Sequence, residues 1–252
     1  MRFKELHYQT KPLLIANVWD VPSAKITEKQ NFQAIGTSSA AIATLLGYDD
    51  GEKISFSELE YVVKRIISNT KLPLSVDLEA GYSRNPATIV NHIKKLVQLG
   101  VVGINIEDSV VINDIRTLVN ADDFAKTLKE ITEHLKKENI NIFINVRIDT
   151  FLLGVSNVIE ETKKRIKLYE KTYIDGLFLP CIEKEMEIKE VVNYTNLPIN
   201  VMCMPNLPDF ERLHQLGVKR ISMGNFLFDK MYRQLENTMQ KISNHQSFQA
   251  IF

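Results

Sequence analysis

Eight short runs rich in Val, Ile and Leu recur along the chain, separated by longer stretches with helical spacing, and this alternation constrains the fold more than any other feature. The runs are Leu13–Trp19, Ala34–Ser39, Leu74–Glu79, Gly103–Asp108, Ile142–Asp149, Gly176–Pro180, Ile199–Met202 and Arg220–Gly224. Continuous apolar runs of this length suit parallel strands covered by helices on the outside. Between them the spacing predicts helices over 23–30, 55–69, 86–99, 122–138, 156–172, 184–194, 208–216 and 225–241. Ser55 and Ser57 are candidate N-caps, Asn85-Pro86 reads as a cap and first-turn proline, and Gly100 and Gly217 read as stops.

Eight alternations without a composition break predict an α/β protein, a single-domain (β/α)8 TIM barrel over residues 1–252. An open doubly wound sheet competes if two strands are misassigned. After about residue 241 the chain turns polar and then ends in Phe248-Gln-Ala-Ile-Phe252. The segment 242–252 is either a frayed tail or a contact on a neighbouring subunit, since an exposed Ile-Phe end is unfavourable.

Lys plus Arg, at 31, balance Asp plus Glu, also at 31, so no net field attracts nucleic acid or anionic lipid. Cys181 and Cys203 are too few for a disulfide framework and suit a reducing compartment, so the expected location is cytoplasmic. Met1 to Lys11 lacks the pattern of a secretory signal, and no apolar run is long enough to cross a bilayer. A soluble, unprocessed protein is expected.

A barrel places chemistry at the C-terminal ends of its strands. Period-two alternation in Ser75-Val-Asp-Leu-Glu79 puts Asp77 and Glu79 on one face, and the next strand ends at Glu107 and Asp108. Asp77, Glu79 and Glu107 can therefore converge, and crowded carboxylates persist at neutral pH only with a cation or with added protons. No basic residue lies in either strand end, and a cluster without His or Cys suits a hard cation such as Mg2+, with Mn2+ as its substitute. The competing reading is ordinary ion pairing with Lys or Arg. Arg147 precedes Asp149 by two residues, giving an intrastrand salt bridge, a bidentate grip on a substrate carboxylate, or both. Ser38 and Ser39 are candidate donors to a second carboxylate oxygen, or simply turn residues. Asp50, in the acidic loop Leu46–Glu52 on the same face, is a candidate nucleophile, base or orienter.

In order, Thr37-Ser-Ser-Ala-Ala-Ile-Ala-Thr-Leu-Leu-Gly-Tyr-Asp-Asp50, Val76-Asp-Leu-Glu-Ala-Gly-Tyr82, Gly103-Ile-Asn-Ile-Glu-Asp108 and Asn145-Val-Arg-Ile-Asp149 resemble the isocitrate lyase and phosphoenolpyruvate mutase superfamily. The resemblance spans about Leu13 to Phe228. It implies a Mg2+ site at Asp77, with Glu79 and Glu107 acting directly or through waters, and Arg147 with Ser38–Ser39 on the substrate carboxylate. It also implies Asp50 as the phosphoryl-accepting carboxylate of a mutase, and a dimer or tetramer that exchanges its last helix. The implied chemistry stabilises an enolate-like oxyanion while a C–C or P–C bond breaks or forms in a small keto-acid or phosphonate-like substrate.

Departures narrow this. The stretch Ser109–Ala121 contains no Cys, Lys or His where the lyases carry a Lys-Lys-Cys-Gly-His-type loop, which argues against isocitrate cleavage. Glu79 stands in place of the more usual Asp. The leading expectation is a Mg2+-dependent lyase, decarboxylase or phosphomutase-like enzyme. The alternative, motivated by the short cover at 109–121, is a catalytically inactive barrel that binds a ligand or acts as a scaffold.

Overall fold

A computed structural model describes residues 3–252; Met1 and Arg2, included in the domain assigned above, lie outside the described residues. In chain order the first elements are β1 (Leu13–Val18), α1 (Val21–Lys29), β2 (Ala34–Thr37), α2 (Ser39–Leu45), α3 (Phe56–Ile67), β3 (Leu74–Asp77), α4 (Pro86–Leu99) and β4 (Gly103–Glu107). Next come β5 (Ser109–Ile112), β6 (Ile115–Leu118), α5 (Ala121–Lys137), β7 (Phe143–Arg147), α6 (Val158–Tyr169), β8 (Gly176–Leu179) and α7 (Glu185–Tyr194). The chain ends with β9 (Ile199–Met202), α8 (Phe210–Gln215), β10 (Arg220–Ser222) and α9 (Phe226–His245). Eight strands close a parallel barrel in the order β1-β10-β9-β8-β7-β4-β3-β2, so the open-sheet alternative is excluded.

Local chemistry sets the boundaries. Ser55 and Glu58 form a capping box at the start of α3, and the Asn85 side chain accepts from Ala87 N–H at 2.9 Å to start α4. Gly100 ends α4 at φ 99°, in the left-handed region that a side chain disfavours. Asp20 and Ser23 form a second capping box ahead of the predicted start of α1. Helix α2 was not expected; it begins directly after β2, with Ser38 as its N-cap. The predicted polar tail also differs, because α9 continues to His245 and a 3-10 turn follows at Phe248–Ala250. Leu227, Met231, Tyr232, Leu235 and Met239 are exposed along α9, while Phe228 packs against Trp19.

Two apolar clusters divide the core. The larger lies between barrel and helices and includes Ile35, Val76, Ile104, Val146, Leu177 and Val201 from the strands. The smaller fills the N-terminal end of the barrel with Leu13, Ile15, Ala34 and Phe143, closed by Phe3 and Leu6 of a 3-10 turn at Phe3–Tyr8. His7 is 1% exposed, stacks on Phe143 at 4.0 Å and lies with its Nδ1 3.1 Å from the Phe3 carbonyl oxygen, which accepts from it. Above this plug the lumen turns polar: Asn145 donates to Asn105 at 3.0 Å and to Asn200 at 3.2 Å. Arg220 crosses the barrel from β10 to within 3.4 Å of Asn105 on the opposite strand, β4. Among the described residues no helix is long and apolar enough to cross a membrane.

Candidate active site

The C-terminal ends of β2, β3, β4 and β7 bring Ser39, Asp77, Glu107 and Arg147 to one mouth of the barrel. The register sets this: Asp77 pairs with Asn105, and Glu107 pairs with Arg147 on the next strand. Asp77 is held from two sides. Its backbone N–H donates to Thr37 Oγ1 at 2.8 Å, and Ser39 Oγ donates to its Oδ2 at 2.9 Å. Its Oδ1 is buried and has no hydrogen-bond partner among the described residues. Burial raises the Asp77 carboxyl above its usual range, with Arg147 opposing the shift.

Glu79 does not join Asp77 as alternation predicted. Its backbone adopts φ 47° in the tight turn closed by Gly81 N–H on Leu78 O, which breaks the two-residue period. Its carboxylate accepts from Glu52 N–H at 2.6 Å and from Tyr82 Oη at 2.7 Å. Burial first, then Asp50, pushes the group up to about 7. Glu52 in turn accepts from Tyr82 N–H and from Arg84, tying the two loops together.

Glu107 faces two cations, which also corrects the expectation of strand ends free of basic partners, although its buried Oε2 makes no hydrogen bond among the described residues. Arg147 Nη1 lies 3.2 Å from its Oε2, and Arg116 Nη1 pairs with its Oε1. Burial still holds the Glu107 carboxyl above its ordinary range, despite Arg147. Arg147 Nε donates to Asp149 Oδ1 at 2.6 Å, so the intrastrand bridge forms. Asp149 is anchored by its backbone N–H on Asp108 Oδ1 and by Ser109 Oγ on its Oδ2. Asp108 is no site residue: it is buried against Arg165 and Tyr169. Ser38 Oγ accepts from Ala41 N–H at 3.3 Å as the N-cap of α2, which leaves its hydroxyl proton to donate.

Among the described residues no group of three or more His, Cys, Asp or Glu is arranged to hold a metal ion by itself. The triad of Asp77, Glu79 and Glu107 is therefore not gathered as a cage. The donors fit a hard cation carried by one carboxylate, Asp77 Oδ1, with waters and substrate oxygens completing its shell. Charge agrees, because Asp50, Asp77, Glu79, Glu107 and Asp149 outnumber Arg116 and Arg147 at the mouth.

Sequence reasoning did not find Arg116 as the partner of Glu107 and Asp50. Strands β5 and β6 pair antiparallel around Asn113 and Asp114, at φ 50° and 63°, which is the two-residue turn that matches strand twist. The signal was present: β-branched residues flank an Asn-Asp pair. The hairpin crosses to the Asp50 loop, where Arg116 Nη2 donates to Asp50 Oδ2 at 2.9 Å and Lys53 pairs with Asp114 at 2.5 Å. Gly51, at φ 106°, lets the loop lie against Val111; a Cβ there would sit 2.5 Å from it. The stretch expected to be a shortened cover thus folds into a latched one.

Comparison with known proteins agrees with this architecture. An uncharacterized protein of Mycobacterium tuberculosis is 32% identical over 225 residues, 89% of this chain and 82% of the relative. An oxaloacetate decarboxylase of Pseudomonas entomophila is 26% identical over 233 residues, 88% of this chain and 77% of the relative. A crystal structure from Burkholderia cenocepacia J2315, described as a candidate phosphonomutase, superposes with a TM-score of 0.87 at 29% identity, covering 94% of this chain and 97% of that one. The family model described as phosphoenolpyruvate phosphomutase matches residues 3–243, and the chain belongs to that family.

Proposed function

We propose that this chain is a Mg2+-dependent enzyme that breaks or forms a C–C or P–C bond beside a small α-keto carboxylate, through an enolate-like intermediate. One observation carries the reading: a buried, unpartnered Asp77 oxygen shares the barrel mouth with the oriented guanidinium of Arg147. A decarboxylase and a candidate phosphonomutase among the relatives support both bond types.

Arg147 grips the substrate carboxylate through the face left by Asp149 and Glu107, which fix its fork. Asp77 would hold the cation, Glu107 and Glu79 would add negative charge beside it, and Ser39 keeps the Asp77 carboxylate in place. When bound, Mg2+ supplies Lewis-acid stabilisation of charge on the keto oxygen. Ser38–Ser39 borders the same carboxylate. Asp50 receives a transferred phosphoryl group, or orients the departing group where a C–C bond breaks. The pairing of the hairpin with the Asp50 loop, through Arg116 on Asp50 and Lys53 on Asp114, supports a covered reactive site over an inactive scaffold. A second copy of the chain covers the apolar face of α9, giving a dimer or tetramer.

The test is a thermal melt with oxalate, with and without Mg2+. Ligand at about 100 times Kd adds roughly 2.7 kcal/mol, so oxalate raises Tm by several degrees with Mg2+ and far less without it. Equal shifts in both would remove the metal from the site. Phosphorus NMR with phosphonopyruvate, beside pyruvate release from oxaloacetate, separates P–C from C–C chemistry. Asp50→Ala abolishes the former only.

A further inference from the structure

On the helix side of the barrel, behind Arg147, a buried arginine of α6 is joined to it by a short chain of hydrogen bonds. Arg165 Nη1 donates to Asp108 Oδ2 at 2.8 Å and to Tyr169 Oη at 3.1 Å, and Tyr169 Oη donates to the same Asp108 oxygen at 3.0 Å. Asp108 turns its other groups to the strand that carries the substrate fork: its backbone N–H donates to Arg147 O at 3.1 Å, and its Oδ1 accepts from Asp149 N–H at 3.0 Å. Those two bonds bracket Ile148 and fix the backbone on either side of it. Asp149 Oδ1 then accepts from Arg147 Nε at 2.6 Å, which completes the link from α6 to the guanidinium at the mouth. Asp108 itself is held against displacement, because Arg165 Nη2 also donates to Val119 O at 3.1 Å while Val119 N–H donates to Asp108 O at 2.9 Å. A planar guanidinium suits this place: its rigid fork reaches acceptors on two segments at once, which an ammonium on a flexible stem does less well. Desolvation offsets much of the attraction within a buried ion pair, so the pair is better read as fixing one geometry than as adding stability.

We propose that Arg165 is a positioning residue for substrate binding: acting through Asp108 and Asp149, it sets the direction in which Arg147 presents its guanidinium at the barrel mouth. This rests on the reading above, in which Arg147 takes the substrate carboxylate. Asp77 stands outside this chain of contacts, held instead by Thr37 and Ser39, so disturbing Arg165 separates anion binding from cation binding.

The experiment measures Kd by calorimetry for Mg2+ alone and for oxalate at saturating Mg2+. The proteins are wild type, Arg165→Lys, Tyr169→Phe, Arg147→Lys and the two double variants that combine Arg147→Lys with either change on α6, each checked for folding by circular dichroism. Arg165→Lys weakens oxalate about tenfold, and Tyr169→Phe, which leaves the ion pair intact, about threefold. Mg2+ alone changes by less than about twofold in both. In each double variant the change on α6 adds less than about twofold to the loss from Arg147→Lys, because both act on one guanidinium. Equal weakening of Mg2+ and oxalate overturns the proposal, since it marks a merely structural pair. Losses that multiply in the double variants overturn it as well, as does oxalate binding that stays at the wild-type level in every folded α6 variant. If Arg165→Lys does not fold, Tyr169→Phe and its double variant carry the same comparison. Wild type that binds Mg2+ but no oxalate would overturn the reading of Arg147 itself, and this proposal with it.

Discussion

The two ends of the barrel are closed by opposite means. At the N-terminal end Phe3, Leu6, Leu13 and Phe143 pack into a small apolar plug, and the one titratable ring among them, His7, is stacked and kept neutral: burial first, then Arg220, lowers it to about 3. At the C-terminal end Asp77, Glu79 and Glu107 are just as buried but remain acids, held by Arg147, Arg116 and loop donors. Packing an end with hydrocarbon stabilises the fold; filling it with charge costs desolvation that only a ligand or cation can fully offset. The difference marks which end is for stability and which for chemistry.

Substitutions at the two ends should separate along that line. Arg147→Ala removes the substrate fork and strands Glu107 and Asp149, lowering kcat/KM by roughly 10³-fold; a loss under about tenfold in steady-state assays would detach Arg147 from the chemistry. Phe143→Ala opens a cavity at the plug and costs about 3–4 kcal/mol in urea unfolding, while activity per folded molecule stays within about twofold. A large loss of activity there would mean that the ends are coupled.

Protons distinguish the ends with opposite signs. Glu79 is raised from 4.5 to about 7, so the native state retains a proton that the unfolded chain has released, and metal-free stability falls as pH rises through that window. His7 is lowered from 6.5 to about 3, so the unfolded chain binds the extra proton and stability falls as pH drops from 6.5 toward 3. Urea midpoints across pH should trace both limbs, up to about 3 kcal/mol for the upper and about 5 kcal/mol for the lower. Glu79→Gln flattens only the upper limb, and His7→Phe only the lower; Mg2+ recovers stability on the upper limb alone. The smallest effect is expected from Gly51→Ala, which strains φ 106° and presses on Val111. It should cost about 1 kcal/mol and raise KM severalfold by loosening the hairpin, with kcat little changed.

The barrel was legible because eight apolar runs alternate with capped helices, and each strand-end acid could be located by its strand. What escaped lay in the turns. Glu79 left its face because one positive φ overrides a two-residue period. The partner of Glu107 lies nine residues onward, at Arg116, and reaches it only once the Asn113-Asp114 turn folds the chain back. At the base, Phe3 and His7 sit in a segment that reads as polar, and their partner Phe143 is distant in sequence.

The central claim is that Asp77 and Arg147 serve one ligand. A crystal structure of the protein with Mg2+ and oxalate tests it most directly. The account predicts a cation about 2.0–2.1 Å from Asp77 Oδ1, with oxalate spanning from it to the Arg147 guanidinium. Oxalate bound elsewhere, or a cation that bypasses Asp77, would contradict it.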